Sequence, residues 1–306
     1  MDFANLPSPQ TALNNLGARP GDNMLDNAHW DCMDAIINQR KKMEYTEAGY
    51  TIDRYRLDGT GTLTVTDNGI VITGTGEGCS LHINVEQSQI IPGETYTLST
   101  LVDELDGTGS IAQWSTPKPA LTIGINTLTF VANAYSYKGT SVVYNVVGTV
   151  KIRATKLEHS PIQTLARKEG DTWVLNDPPP NKALEQLKCQ YFDVHHLVPR
   201  FGEIAKGQAK GGVAVYCTVH LPVPKMRINP ILKYDPAQWI LSSQGSVAAS
   251  LPVSSIEIVP AQSYDDVIKL IVKPTDPSLL STGDVYALMP NVAAGTFAVF
   301  ELDANL

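Results

Sequence analysis

Apolar and polar residues alternate along much of the chain between residues 49 and 158. In the run GTLTVTDNGIVITGTG, apolar side chains recur at every second position on both sides of Asp67, Asn68 and Gly69. Period-two alternation is typical of a strand with one buried face, and Asn-Gly between two such runs is a strong hairpin signal. This stretch is therefore predicted to form two antiparallel strands joined by a tight turn.

Further alternating runs follow, and the last of them is SVVYNVVGTVKIRATKLE. Its predicted core-facing residues are Val150, Ile152 and Ala154, and its predicted solvent-facing residues are Lys151, Arg153 and Thr155. One buried and one wet face is what an antiparallel sheet allows. About eight short strands separated by turn signals predict a β-sandwich of jelly-roll type.

A helical period appears after three consecutive prolines, in KALEQLKCQYF. Asn181 is a suitable N-cap for this helix. The apolar stripe predicted to pack against the protein consists of Ala183, Leu184, Leu187 and Tyr191. Alternation then returns, with a predicted core face at Val213, Val215, Cys217 and Val219.

The pattern divides the chain into four parts and predicts an all-β fold. Residues 1–21 are predicted to form a short helical arm, with Ser8 as N-cap and Gly17 past its end. Residues 22–165 are predicted to form the β-sandwich, and residues 166–189 an irregular linker followed by the helix. Residues 190–306 are predicted to form a second β-domain, a sandwich or barrel-like fold.

Composition narrows the classes of function. The 306 residues carry a formal net charge of −8, which disfavours a nucleic-acid partner because phosphate neutralisation supplies most of that affinity. There is no apolar run of about 18 residues, so membrane insertion is not expected. The four cysteines are far apart, and we expect reduced thiols.

Motifs for catalysis or cofactor binding are not evident. The Gly-rich runs GTGTLTV and GTGEGCS lie between predicted strands, so we interpret them as turn glycines rather than as phosphate-binding loops. The run DELDG, at residues 103–107, is interpreted as a solvated acidic turn, with calcium binding as the alternative. We therefore predict no catalytic residue, no metal and no cofactor.

The doublet His195-His196 is the best metal-ligand pattern in the chain. Adjacent strand residues face opposite sides, so one chain cannot easily direct both histidines at one ion. One histidine from each chain could meet on the axis of a symmetric trimer, but a solvent or interface histidine is the preferred interpretation. Cys189 with either histidine could be a nucleophile and its base, although nothing in the sequence orients such a pair.

Aromatic residues in polar surroundings give a stronger hypothesis. Exposed aromatic faces stack on the C–H faces of sugars, and neighbouring amides and amines can bind sugar hydroxyls. The predicted glycan-binding residues are Tyr135, Tyr137, Asn133, Lys138, Trp114 and Tyr144. The alternative is that these aromatic residues belong to the core or to subunit contacts.

The opening of the first domain resembles a known family. The runs NMLDNAHWDCMDAIINQR and EYTEAGYTIDRYRL resemble the start of the carbohydrate-binding-module-like domain of phage tail fibre and related virion proteins. The matching residues are Asn23, Leu25, Ile37, Asn38, Gln39, Arg40, Gly49, Tyr50, Thr51, Ile52, Asp53 and Arg54. Lys41 and Tyr55 depart from the family, which often has Gly and Trp there. The resemblance implies that this string is architectural and that Asp53 and Arg54 pair structurally.

Later motifs continue the resemblance in the same order along most of the chain. IIPGETYTLST and TVKIRATKLEHSPIQT are similar to later strands of the family's first domain, and LEQLKCQYFDV, LPVPKMRINPIL and ELDANL to its small C-terminal β-domain. The resemblance implies a homotrimeric virion protein, assembled in the bacterial host cytoplasm. It would be a tail fibre or receptor-binding protein that attaches to a host surface glycan, is not an enzyme, and contacts other virion proteins through its N-terminal arm. The alternatives are a head fibre or capsid decoration protein and, less favoured, a polysaccharide depolymerase.

Overall fold

The computed structural model describes residues 23–85, 90–113, 118–132, 140–221, 226, 228–243, 250–260 and 267–304. The chain divides into two compact units, Met1–Gln186 and Leu187–Leu306. Strands make up most of both units, so the predicted all-β class is confirmed. The predicted helical arm lies outside the described residues.

The described residues of the first unit form nine strands. They are β1 (Glu44–Tyr45), β2 (Gly49–Tyr50), β3 (Tyr55–Thr66), β4 (Gly69–Val85), β5 (Thr95–Gln113), β6 (Gly124–Val131), β7 (Thr140–Glu158), β8 (Ala166–Glu169) and β9 (Thr172–Leu175). Seven form one antiparallel sheet in the order β1-β3-β4-β7-β5-β6, with β2 also paired to β3. The predicted hairpin is confirmed, because β3 and β4 pair from Thr66 and Gly69 outward.

The long strands of this sheet carry glycines at matching heights. Gly61 pairs with Gly74, Gly74 with Gly148, and Gly148 with Gly107, so the four glycines form a row across β3, β4, β7 and β5. A Cβ on any of them would come within 2.1–2.4 Å of a carbonyl oxygen on a neighbouring strand. The interpretation of GTGTLTV and GTGEGCS as turns is therefore wrong, because both runs lie inside long strands where backbones approach closely.

Two charged residues interrupt the regular register between β5 and β7. Leu101 pairs with Ala154 and Val102 with Ile152, which leaves Arg153 without an opposite residue in the ladder. The Arg153 guanidinium donates from Nη2 to Asp103 Oδ1 at 2.7 Å and from Nε to Asp103 Oδ2 at 3.0 Å. DELDG therefore lies within β5 and is not a solvated turn.

This bulge reverses the alternation that the sequence predicted for the end of β7. An extra residue in one strand shifts every later side chain to the opposite face. Thr155 is consequently buried, and its Oγ1 is hydrogen-bonded to the Tyr144 hydroxyl at 2.6 Å. Ala154 joins a separate cluster with Leu101 and Ala166. The solvent-facing assignment of Thr155 was therefore wrong.

The opening string of the first unit forms a buried hydrogen-bonded scaffold. Asp53 accepts hydrogen bonds from the backbone N–H and side-chain amide of Gln39, and burial raises the pKa of its carboxyl. Arg54 pairs with Asp26 at 3.2 Å and donates to the carbonyl of Asn84 at 2.7 Å. Asp53 and Arg54 thus have the predicted structural role, although each has its own partners.

The predicted irregular linker contains regular structure. Strands β8 and β9 pair as a hairpin, and Leu165 and Ala166 pack with Leu101 while Trp173 packs against the same cluster. The predicted helix is present as α1 (Lys182–Gln190), and Asn181 Oδ1 accepts from the N–H groups of residues 183 and 184 at 3.1 and 3.2 Å. The N-cap prediction is confirmed.

The face that α1 buries differs from the predicted one. Glu185 accepts a hydrogen bond from the backbone N–H of Asn27, and this polar contact turns Glu185 and Cys189 inward. The predicted stripe, Ala183, Leu184, Leu187 and Tyr191, is exposed. The apolar pattern alone gave the wrong face because a buried carboxylate with a backbone partner determines the rotation of the helix.

The second unit also consists mainly of strands. They are β10 (Asp193–Pro199), β11 (Ala205–Lys210), β12 (Ala214–His220), β13 (Ile231–Lys233), β14 (Trp239–Ser243), β15 (Ser250–Ile258), β16 (Val267–Pro274), β17 (Val285–Pro290) and β18 (Phe297–Asp303). Six of them close a barrel in the order β11-β12-β16-β15-β14-β17, and β10-β18-β13 form a separate sheet. The barrel-like prediction is confirmed.

The barrel core contains most of the residues that the alternation predicted. Val215, Cys217 and Val219 are buried together with Trp239 and Phe300. Val213 is 57% exposed because β12 begins one residue later. The prediction of Val213 as a core residue was therefore wrong.

Candidate binding groove of the first unit

A groove of about 360 Å³ lies on the outer face of the first unit, beside the glycine row. It crosses β3, β4, β7 and β5, and its far side is formed by the segment after β5. Its polar lining residues are Asp58, Glu77, Ser80, Thr108, Ser110, Lys118 and Asn145. The four strands therefore provide the floor of the groove.

The floor is a row of polar side chains in register. Asp58 pairs with Ser80, Ser80 with Asn145, and Asn145 with Ser110. The row next to it, Leu57, Leu81, Tyr144 and Ile111, is fully buried in the core. Because side chains alternate between the two faces of a sheet, the polar row must face outward.

Hydrogen bonds hold the floor in a defined arrangement. The Asn145 side-chain amide donates to Ser110 Oγ at 3.4 Å, and Ser80 Oγ lies 2.7 Å from His82 Nε2. Asp58 accepts from Arg56 Nε at 3.0 Å. Burial lowers the pKa of His82, with Asp58 opposing that shift. The groove thus offers hydroxyl, amide and carboxylate groups with both donor and acceptor capacity.

Tyr144 lies beneath this row and is inaccessible. Its side chain has 0% exposure, and its hydroxyl bonds Thr100 Oγ1 at 2.8 Å and Thr155 Oγ1 at 2.6 Å. Burial raises the pKa of its hydroxyl. Tyr144 is thus a core residue, and its burial removes it from the predicted glycan-binding set.

The other predicted glycan-binding residues lie outside the described residues. They are Tyr135, Tyr137, Asn133, Lys138 and Trp114. The sequence reasoning did not select the groove floor. Asp58, Ser80 and Asn145 are far apart in the sequence, and only the strand register brings them together.

The histidine doublet occupies opposite faces of β10, as strand geometry predicts. His195 Nδ1 is 2.9 Å from Glu301 Oε2, and Lys233 Nζ is 3.0 Å from Glu301 Oε1. Burial lowers the pKa of His196, and His195 adds to that shift. Cys189 is fully buried.

Neither a metal-binding cluster nor a membrane-spanning helix is found in the described part of the chain. Within it, no three His, Cys, Asp or Glu side chains are grouped in a way that could hold a metal ion. Nor does that part contain a helix with the length and apolar character needed to cross a membrane.

No protein-family model and no curated protein matches this chain. Among solved structures, it is similar to one described as "BiXyn10A CBM1 APO", with 19% identity and a TM-score of 0.28, over 42% of this chain and 100% of that chain. It is also similar to TmCBM61 in complex with beta-1,4-galactotriose, with 9% identity and a TM-score of 0.25, over 45% and 99%. The CBM22-1-CBM22-2 tandem domain of Paenibacillus barcinonensis Xyn10C gives 11% identity and a TM-score of 0.26, over 94% and 97%. With TM-scores this low, these similarities assign no function to the chain.

Proposed function

We propose that the protein is a non-catalytic virion fibre protein whose first unit binds a host surface glycan in the groove. The observation that carries the glycan proposal is the outward polar row of Asp58, Ser80, Asn145 and Ser110 in strand register. The virion assignment is supported by the ordered motifs that resemble phage fibre proteins.

The groove floor suits a ligand with many hydroxyl groups. Neighbouring strands are about 4.8 Å apart, so a row of four side chains spans about 14 Å, which is the scale of a short oligosaccharide. Each hydroxyl of a sugar donates and accepts, and the serine and asparagine side chains do both. Lys118 adds a cationic donor at the far side. The floor therefore matches a polar, extended ligand.

The predicted glycan-binding residues are close in sequence to two strands of the groove, β5 and β7. Trp114 directly follows Gln113, the last residue of β5, and Lys138 comes two residues before β7 begins. Gln113 pairs with Val142 in β7. We retain Trp114, Tyr135 and Tyr137 as the proposed stacking residues of this site.

Replacing the central polar pair of the groove is expected to weaken glycan binding. The double variant Ser110→Ala with Asn145→Ala removes two neutral hydrogen-bonding groups, each worth about 0.5–1.5 kcal/mol. We expect an affinity loss of about five- to a hundredfold for the best glycan found on a microbial glycan array, measured by titration calorimetry. Glycan length should stay unchanged during incubation, as a non-catalytic protein requires.

The matched control is Thr73→Ala with Thr149→Ala. These two hydroxyls lie 3.3 Å apart on the neighbouring strands β4 and β7 but outside the groove, so binding should be unchanged. Equal affinity of the groove variant and the wild type would disprove the location of the site. If the protein binds no glycan on the array, the proposed function is disproved.

We further propose that the chain assembles as a homotrimer and that residues 1–21 attach it to other virion proteins. The resemblance to fibre proteins supports both statements. Light scattering should give about three times the chain mass of 33.1 kDa. Removing residues 1–21 should leave the protein trimeric while abolishing its incorporation into particles. A stable monomer at micromolar concentration would contradict the trimer.

A further inference from the structure

We propose that the second unit carries a separate binding face for an anionic polysaccharide, on the outside of its barrel. The basic face consists of Lys206, Lys210, Lys269 and Lys273 around Tyr216. It involves β11, β12 and β16, which are neighbours in the closed barrel. This inference does not depend on the groove of the first unit, because no residue is shared between them.

Strand register places the four lysines at the corners of a grid. Thr218 pairs with Lys206 on one side and Lys269 on the other, which makes the first row. Tyr216 pairs with Gln208 and Ile271, which makes the central row. Lys210 pairs with Ala214 in the third row, and on β16 Lys273 directly follows Val272, the partner of Val215.

The alternation of the strands directs the four lysines, Gln208 and Tyr216 outward. Val215, Cys217 and Val219 of β12, and Ala205 and Ala209 of β11, are in the barrel core. Their neighbours along each strand therefore face away from the core. Lysines four residues apart on one strand are about 13 Å apart, and the outer strands are about 10 Å apart.

The central tyrosine is partly exposed and is held by one of the lysines. Tyr216 is 39% exposed, and Lys210 Nζ lies 5.6 Å from the centroid of its ring. This cation–π contact orients the ring, and an exposed contact of this kind is worth only about 0.5–1 kcal/mol. A partly exposed planar ring with one lysine over it thus lies at the centre of the face.

The local charge is opposite to that of the whole chain. Lys206 pairs with Glu203 at 3.0 Å and Lys273 with Glu257 at 2.7 Å, while Lys269 donates to Thr218 Oγ1 at 2.6 Å. The four lysines and their two paired glutamates sum to +2 on a chain of net charge −8, and Asp284, which lines a cavity with Lys206 and Glu203 beside this face, lowers the local sum to +1. Lys206 and Lys273 are 64% and 42% exposed, and such exposed ion pairs contribute little. A multivalent anion can therefore displace the glutamates.

The chemistry favours an acidic polysaccharide over other polyanions. Sugar rings present apolar C–H faces that stack on Tyr216, and hydroxyls that Gln208 can bind from the same row. Their carboxylates or phosphates would meet the lysines at the corners.

Three polymer probes separate recognition of charge from recognition of sugar. Polygalacturonate, its methyl-esterified form and poly-glutamate provide an acidic sugar chain, the same sugar chain without charge, and charge without sugar. The full-length protein is expected to bind polygalacturonate at least tenfold more tightly than either of the other polymers at low ionic strength. Affinity should fall with added salt, as binding through exposed charges requires.

Variants then show which residues of the basic face contribute to polygalacturonate binding. Lys210→Gln with Lys269→Gln should weaken polygalacturonate binding at least tenfold and flatten its salt dependence, whereas arginine at both positions should restore binding. Tyr216→Ala should weaken binding about tenfold with little change in the salt slope. The matched control, Lys42→Gln with Lys168→Gln, makes the same charge change at exposed positions of the first unit and should leave affinity unchanged. Melting temperatures and circular dichroism should confirm that each variant is folded.

Two outcomes would overturn the inference. One is equal binding of poly-glutamate and polygalacturonate with no effect of Tyr216→Ala, because the face would then recognise charge alone. The other is absence of polygalacturonate binding by the wild type. The groove variant at Ser110 and Asn145 should retain polygalacturonate binding, so failure of the groove proposal and failure of this one are distinguishable.

Discussion

Replacing Gly148 by alanine is expected to destabilise the first unit by about 3–5 kcal/mol, a large fraction of the roughly 5–15 kcal/mol that stabilises a typical domain. Gly148 has φ +94°, a conformation that L-residues rarely adopt, and its Cβ would lie 2.2 Å from the carbonyl oxygen of Asp106. The strained conformation costs about 1–3 kcal/mol, and the collision adds a similar amount. Because β7 lies between β4 and β5, its backbone has no free side toward which it could shift.

Urea unfolding followed by circular dichroism measures this cost, with the transitions of the two units fitted separately. Gly76→Ala is the matched control, because Gly76 also has positive φ, +61°, but its Cβ would meet nothing within 4 Å. The control should cost only about 1–2 kcal/mol, the penalty of the left-handed conformation. Equal costs at the two positions would show that the close approach of the strands contributes nothing.

Replacing Asn27 by alanine is expected to cost the first unit about 3–5 kcal/mol. The buried Asn27 side chain donates from Nδ2 to the carbonyls of Ile37 and Asp53 at 2.8 and 2.9 Å and accepts from the Ile37 N–H at 2.7 Å. Removing it leaves three buried backbone groups without that partner, at about 1–3 kcal/mol each before relaxation. Asn27 also has φ +51°, which asparagine tolerates better than alanine.

Two companion variants separate the contribution of the Asn27 hydrogen bonds from that of its backbone conformation. Asn27→Gly keeps the backbone conformation and loses only the hydrogen bonds, so it should recover about 1 kcal/mol relative to alanine. Asn38→Ala removes another asparagine of the same string, whose amide donates at an exposed site to the Lys42 carbonyl and whose Oδ1 accepts from the Tyr45 hydroxyl at 2.6 Å; it should cost about 1–2 kcal/mol. Fluorescence of Trp30, whose indole donates to the Asn27 carbonyl at 2.6 Å, should report unfolding of this unit. A loss of less than 1 kcal/mol for Asn27→Ala would contradict a central role for this side chain.

The Asn27 hydrogen bonds show that the opening string of the first unit has a structural role. Asn27, Ile37 and Asp53 are joined by hydrogen bonds, and Trp30 packs edge-on against Tyr55 with ring centroids 5.2 Å apart. Tyr55 is fully buried and is therefore a core residue. The specific polar and aromatic residues of this string bind one another, and none of them lines the groove.

Sequence alone determined those features that local interactions dictate. The β3–β4 hairpin follows from alternation and a two-residue turn, and the start of α1 follows from the Asn181 cap. The strands of the barrel follow from period-two runs such as Val215, Cys217 and Val219. Each of these signals lies within a few residues of the structure that it specifies, so it can be interpreted without knowing the partners.

Tertiary structure decided the features that depend on residues far apart in the chain. The Arg153 bulge is stabilised by Asp103, fifty residues away, and it reverses the face of every residue that follows it in β7. The glycines of β3 and β4 look like turn residues until the register aligns them with Gly148. The groove floor likewise exists only because four strands bring Asp58, Ser80, Asn145 and Ser110 into one row. Alternation specifies which face a side chain occupies, whereas strand pairing and its irregularities determine its neighbours, and those neighbours make a site.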